Sequence, residues 1–146
     1  MFAYAEFERR VGELQKVITG KLGFSEKNHW GAQERPKRMK KLIRANAKRI
    51  PVPPDHVTQI VKVLKQAISP SDLRNLLVHG DWWILHADGQ IITVRRDKLR
   101  RGKKRFEDIK IEEIDSAASK LDELEIELYK LQPEQPELDL QCDATA

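Results

Sequence analysis

The run Arg74-Asn75-Leu76-Leu77-Val78-His79-Gly80 places a guanidinium, an amide and an imidazole close together in the chain. Arginine stays charged at any physiological pH, and its planar fork can grip two phosphate oxygens at once. Histidine titrates near neutral pH and can take or give a proton. The Asn75 amide both donates and accepts, so it can orient His79 or a bound phosphate. Spacing alone is weak evidence. The context sharpens it, because His79 falls at the end of a predicted helix that Gly80 terminates. The plainer alternative makes His79 a C-terminal helix cap and Arg74 an exposed charge.

Other chemistries lack their signatures. The four histidines (His29, His56, His79 and His86) lie far apart, with no H-E-x-x-H pattern, so no metal site is expected. The seven glycines never cluster into a phosphate loop, and no nucleophile elbow marks a Ser-His-Asp arrangement. Cys142 is the single cysteine, which excludes a disulfide framework and a cysteine-based zinc site.

The elements that must position the motif follow from periodicity. Phe7, Val11, Leu14, Ile18 and Leu22 predict a helix over 3–22. Residues 25–34 read as a loop. Pro36 suits the first turn of a second helix with Met39, Leu42, Ile43, Ala47 and Ile50 as its stripe. Pro-Val-Pro-Pro at 51–54 breaks that helix. Asp55 is expected to cap a third, with Val57, Ile60, Val61, Leu64 and Ile68 on one face. Ser69, Pro70 and Asp72 form a capping-box pattern for a short motif helix over 70–79, with Leu73, Leu76 and Leu77 inward. Around a helix axis Arg74 and His79 lie about 140° apart, whereas Asn75 and His79 share a face. The two reactive groups meet if Arg74 reaches around, if Gly80 lets the last turn unwind, or if a second copy supplies the partner.

After Gly80 the period changes. DWWILH and IITVR around Ala87-Asp88-Gly89-Gln90 predict a hairpin, on which Trp82 and Trp83 take opposite faces as packing or base-stacking residues. Residues 96–104 read as a basic loop, and 105–109 as a possible third strand. A last helix over 111–131 carries Ile114, Ala117, Leu121, Leu124, Leu128 and Leu131 as a heptad seam, suited to a bundle or to a dimer contact. The expected organisation is one helical domain over 1–131 and an acidic, disordered tail over 132–146. The fold class is mainly α, a helical bundle with a small β-hairpin inserted before the last helix.

Charge divides the chain of 146 residues. Residues 107–146 hold 13 acidic and 3 basic residues, a net −10; residues 1–106 hold 24 basic and 10 acidic, a net +14. Arg35, Lys37, Arg38, Lys40, Lys41, Arg44, Lys48 and Arg49 form one basic run. A second, over 95–105, includes Arg95, Arg96, Arg100, Arg101, Lys103 and Lys104. Such runs can track a phosphate backbone. They can equally be solvated faces balanced by the acidic last helix. No stretch reaches the roughly 18 apolar residues of a membrane span, and charge comes too early for a signal peptide. A cytoplasmic protein with no membrane partner is expected.

The string RNLLVHGDWW resembles the signature of the HEPN domains (higher eukaryote and prokaryote nucleotide-binding): arginine, a polar residue, a short apolar stretch and histidine in a helical bundle. The match covers about Ser69 to Trp83, a tenth of the chain, and the hairpin departs from the simplest members. The resemblance implies a HEPN-like bundle and a symmetric homodimer in which two motifs share one cleft. It implies metal-independent cleavage of RNA without a cofactor, with Arg74, Asn75 and His79 as the catalytic set. It also implies a toxin or antiphage defence role beside an antitoxin, commonly a nucleotidyltransferase. A non-catalytic nucleic-acid-binding or regulatory subunit, or a protein that pairs through its last helix, are the other readings.

Overall fold

A computed structural model describes residues 2–20, 30–79, 81–84, 91–100 and 103–133; over 81–84, 91–100 and 103–108 the description is of the backbone. Helix α1 (Phe2–Thr19) buries Phe7, Val11, Leu14 and Ile18, the apolar positions spaced by three and four. The helix stops before Gly20, whose φ of 63° is a left-handed conformation that suits glycine. The Arg49 guanidinium reaches this helix end, donating to the Thr19 carbonyl at 3.4 Å. Leu22 lies outside the described residues.

Helix α2 (Arg35–Ala45) has Pro36 in its first turn, as its missing N–H allows. It ends earlier than its apolar stripe suggests. Asn46 turns its amide back to the Leu42 carbonyl at 2.9 Å, and Ala47 is exposed. Met39 and Ile43 are the stripe residues that enter the core. Helix α3 (Pro54–Gln66) is preceded by Pro53 at its cap position, and no side chain caps it. Asp55 therefore sits inside the first turn, where its charge still complements the helix dipole, instead of capping. The buried face is Ile60, Val63 and Leu64, with Val57 and Val61 partly covered.

Helix α4 (Ile68–His79) starts two residues before the predicted start at 70. Buried Ala67 alone separates it from α3, and the Ser71 amide donates to the Ala67 carbonyl at 3.1 Å. Ser69 and Pro70 thus lie within the first turn, and the Asp72 carboxylate accepts from Gln33 Nε2 at 3.1 Å. Gly80 lies outside the described residues.

Strands β1 (Asp81–Ile84), β2 (Ile91–Arg100) and β3 (Lys103–Lys110) form one antiparallel sheet in that order. Trp82 and Trp83 stand at consecutive register positions opposite Val94 and Thr93. Of the stretch 96–104 expected as a basic loop, residues 96–100 and 103–104 are instead strand, with Arg96 paired to Arg105, Arg100 to Lys103 and an irregularity between Arg96 and Arg100, while the third strand expected at 105–109 is present within β3. The ladder supplies backbone partners that charge-rich side chains do not advertise. Helix α5 (Ile111–Lys130) follows directly.

The result is a mainly-α bundle with a small β element before the last helix. Leu121, Leu124, Leu128 and Leu131 join the α1, α2 and α3 residues in the main core. The leucines of the heptad seam are therefore consumed within the chain. A smaller cluster of Leu76 and Ile109, with Leu73, Leu77 and Ile114 beside it, docks β3 onto the motif helix. Each fully buried Leu or Phe contributes about 1.5–3 kcal/mol. Among the described residues no helix is long and apolar enough to cross a membrane. Of the tail expected over 132–146, residues 134–146 lie outside the described residues.

Candidate functional site

Arg74 leaves α4 toward α1. Its guanidinium carbon lies 4.2 Å from the centroid of the Tyr4 ring, a cation–π contact. Its Nη1 donates to Asn75 Oδ1 at 3.2 Å. Its Nε is buried and has no hydrogen-bond partner among the described residues. No carboxylate among the described residues forms an ion pair with it. This is a half-buried cation held by a ring face and an amide, its charge uncompensated by any acid among the described residues.

The Tyr4 hydroxyl is near enough to the Glu8 carboxylate, one turn along α1, and to the Arg35 guanidinium at the start of α2 for both charges to act on it. Burial pushes the Tyr4 pKa up; the Glu8 charge adds to that rise and Arg35 opposes it. Glu8 and Arg35 form an ion pair, with their side chains 18 % and 4 % exposed. Arg35 also donates from Nε to the Trp30 carbonyl at 3.1 Å. Arg35 therefore ties α2 and the preceding turn to α1. It is not a phosphate-tracking residue, because its charge is spent on Glu8 in the interior.

The remaining cations of the α2 run lie at the surface. Lys37, Arg38, Lys40, Lys41, Arg44 and Lys48 are exposed. Arg38 pairs with Glu34 at 3.2 Å, a surface pair of small energetic value. Among the described residues no acid of the last helix forms an ion pair with this face. Glu125 of that helix instead pairs with Arg10 of α1 at 2.8 Å, and Arg10 also lies 4.4 Å from the Tyr129 ring centroid. Of the second basic run, Arg95, Arg96, Arg100, Lys103 and Lys104 occupy strand positions on β2 and β3, and Arg101 lies outside the described residues.

His79 is exposed at the end of α4. The helix is regular through both Arg74 and His79, so the two project about 140° apart. Unwinding of the last turn, one of three ways to bring them together, is not what the chain does. Asn75 stands on the His79 face, but the bond its amide oxygen accepts comes from Arg74.

An open cleft of about 680 Å³ runs between α4 and the start of α5. Asp72, Glu112 and Glu113 line it, while Arg74, Asn75 and His79 do not. Its acidity disfavours a polyanion, so the candidate site lies elsewhere on α4. Among the described residues no group of three or more His, Cys, Asp or Glu side chains is arranged to hold a metal ion.

Tyr4 and Glu8 are the site residues that sequence reading misses. Tyr4 extends the apolar stripe of α1 one turn before Phe7, and Glu8 follows it at helical spacing. The chain matches no protein-family model, no curated protein and no solved structure.

Proposed function

We propose that the protein is a HEPN-like endoribonuclease that cleaves RNA without a metal ion or cofactor, using Arg74, Asn75 and His79. The observation that carries this reading is the state of Arg74: a half-buried, oriented guanidinium with no acid partner among the described residues, on the same helix as an exposed imidazole. RNA supplies its own nucleophile, the 2′-hydroxyl. Its oxygen attacks the adjacent phosphorus and the bond to the 5′-oxygen breaks, leaving a 2′,3′-cyclic phosphate and a 5′-hydroxyl. One group must take the 2′ proton and one must protonate the leaving oxygen; a histidine serves either step. Arg74 stabilises the charge that builds on the phosphorane, and the Asn75 amide nitrogen remains to bind a phosphate oxygen.

The divergence of Arg74 and His79 on one regular helix, with Arg74 engaged by Tyr4, favours a homodimer in which the second copy completes the cleft. The exposed cations of α2 extend the phosphate-binding surface. A toxin or antiphage role, with a nucleotidyltransferase-like antitoxin as partner and a cytoplasmic setting, belongs to the same proposal and rests on the motif resemblance.

A second reading, a non-catalytic nucleic-acid-binding subunit, is favoured by one observation, the exposed face of Lys37, Lys40, Lys41 and Arg44. Incubation of RNA with the full chain in EDTA separates the two. The nuclease reading expects cleavage that disappears in Arg74→Ala and His79→Ala. Cleavage that needs added Mg²⁺, or that survives in both variants, overturns it. Salt-sensitive binding without cleavage selects the second reading.

A further inference from the structure

We infer that Tyr4 is a positioning residue for Arg74, and that it keeps this guanidinium oriented and unneutralised for a phosphate. The inference rests on the nuclease reading for its functional consequence, although the contact itself is independent of it. An arginine is usually fixed by a carboxylate, which also cancels its charge. Here α1 offers such a carboxylate, Glu8, within one turn of Tyr4, yet Glu8 is paired with Arg35. Arg74 meets the Tyr4 ring instead, at 4.2 Å. A ring face attracts the cation without removing its formal charge. Asn75 fixes one edge of the guanidinium through Nη1. The buried Nε is without a partner among the described residues, so the cost of holding the group there is not met by local acceptors. Three elements thus cooperate: α2 occupies the acid, α1 presents the ring, and α4 carries the cation.

The test compares the full-length wild type with Tyr4→Phe, which keeps the ring, and Tyr4→Met, which fills similar space without a π face. Steady-state cleavage of an RNA oligonucleotide is measured in EDTA below the melting temperature of each protein. Tyr4→Phe is expected to stay within about twofold of wild type, and Tyr4→Met to lose about tenfold or more in kcat with KM within about twofold. A loss of fold alone moves the melting temperature but does not produce this split between the two substitutions. Wild-type kcat in Tyr4→Met, or an equal loss in Tyr4→Phe, overturns the assignment. In parallel, the side-chain Nε–Hε resonance of Arg74 is recorded in the wild type, which needs no variant to fold. A position displaced by the ring current supports the assignment, and an undisplaced position overturns it. If the wild type does not cleave RNA, the nuclease reading fails by itself, and the resonance still decides the role of Tyr4.

Discussion

The guanidinium of Arg74 lies over the ring of Tyr4, 4.2 Å from its centroid, and joins the motif helix to the first helix of the bundle. Through Tyr4 the same contact reaches Glu8 and Arg35. The candidate site is therefore not a property of α4 alone, and the behaviour of its arginine depends on two other helices.

The Glu8–Arg35 pair is expected to be structural. Removing the carboxylate in Glu8→Ala leaves a buried guanidinium uncompensated and is expected to cost about 3–5 kcal/mol. Chemical denaturation of wild type and variant measures this. A change below about 1 kcal/mol shows that Arg35 finds another partner.

The Tyr4 hydroxyl gives a pH signature. Its pKa is raised in the folded chain, first by burial and then by Glu8. The folded state therefore holds the proton more tightly than the unfolded chain. The associated stability is complete below the ordinary tyrosine value of about 10 and is lost as pH rises through the higher folded value. Stability of the wild type is expected to fall more steeply above about pH 10 than that of Tyr4→Phe. Equal slopes contradict the buried, acid-flanked hydroxyl.

The last helix is expected to stabilise the monomer core. Leu124 is fully buried among residues of α1 and α3, and Leu124→Ala is expected to cost about 2–5 kcal/mol. Because the seam is internal, this loss should not depend on protein concentration. A concentration-dependent melting temperature change on this substitution contradicts the assignment of the seam to the core.

The helical part of the fold is legible because its apolar residues repeat at three and four. Phe7, Val11, Leu14 and Ile18, and then Leu121, Leu124 and Leu128, mark buried faces directly. Cap positions are less legible. Pro53 and Ala67 set the boundaries of α3 through backbone geometry, where Asp55 and Ser69 have the better side-chain chemistry for capping. The strand positions at 96–100 and 103–104 are hidden because ladder pairing overrides a composition that reads as loop, whereas the third strand at 105–109 is legible. Arg35 looks identical to its basic neighbours, since its acid lies on a different helix and pairing across helices leaves no local trace. The Tyr4–Arg74 contact is invisible for the same reason.

The exposed α2 cations are expected to set RNA affinity through counterion release. Replacing Lys40, Lys41 and Arg44 together by Gln should weaken binding and reduce the slope of log K against log salt by about 2, at roughly 0.7 per single-strand phosphate contact. Arg35 contributes nothing to that slope. An unchanged slope in the triple variant removes α2 from the interface.

Complementation between two inactive variants tests the central claim most directly. Arg74→Ala and His79→Ala chains are mixed, refolded together and assayed on RNA in EDTA. A cleft shared by two copies predicts that each variant alone is inactive and that the mixture recovers cleavage, because the mixed dimer holds one intact arginine and one intact histidine. Mixed dimers that form and remain inactive, or a single variant that cleaves as the wild type does, contradict it.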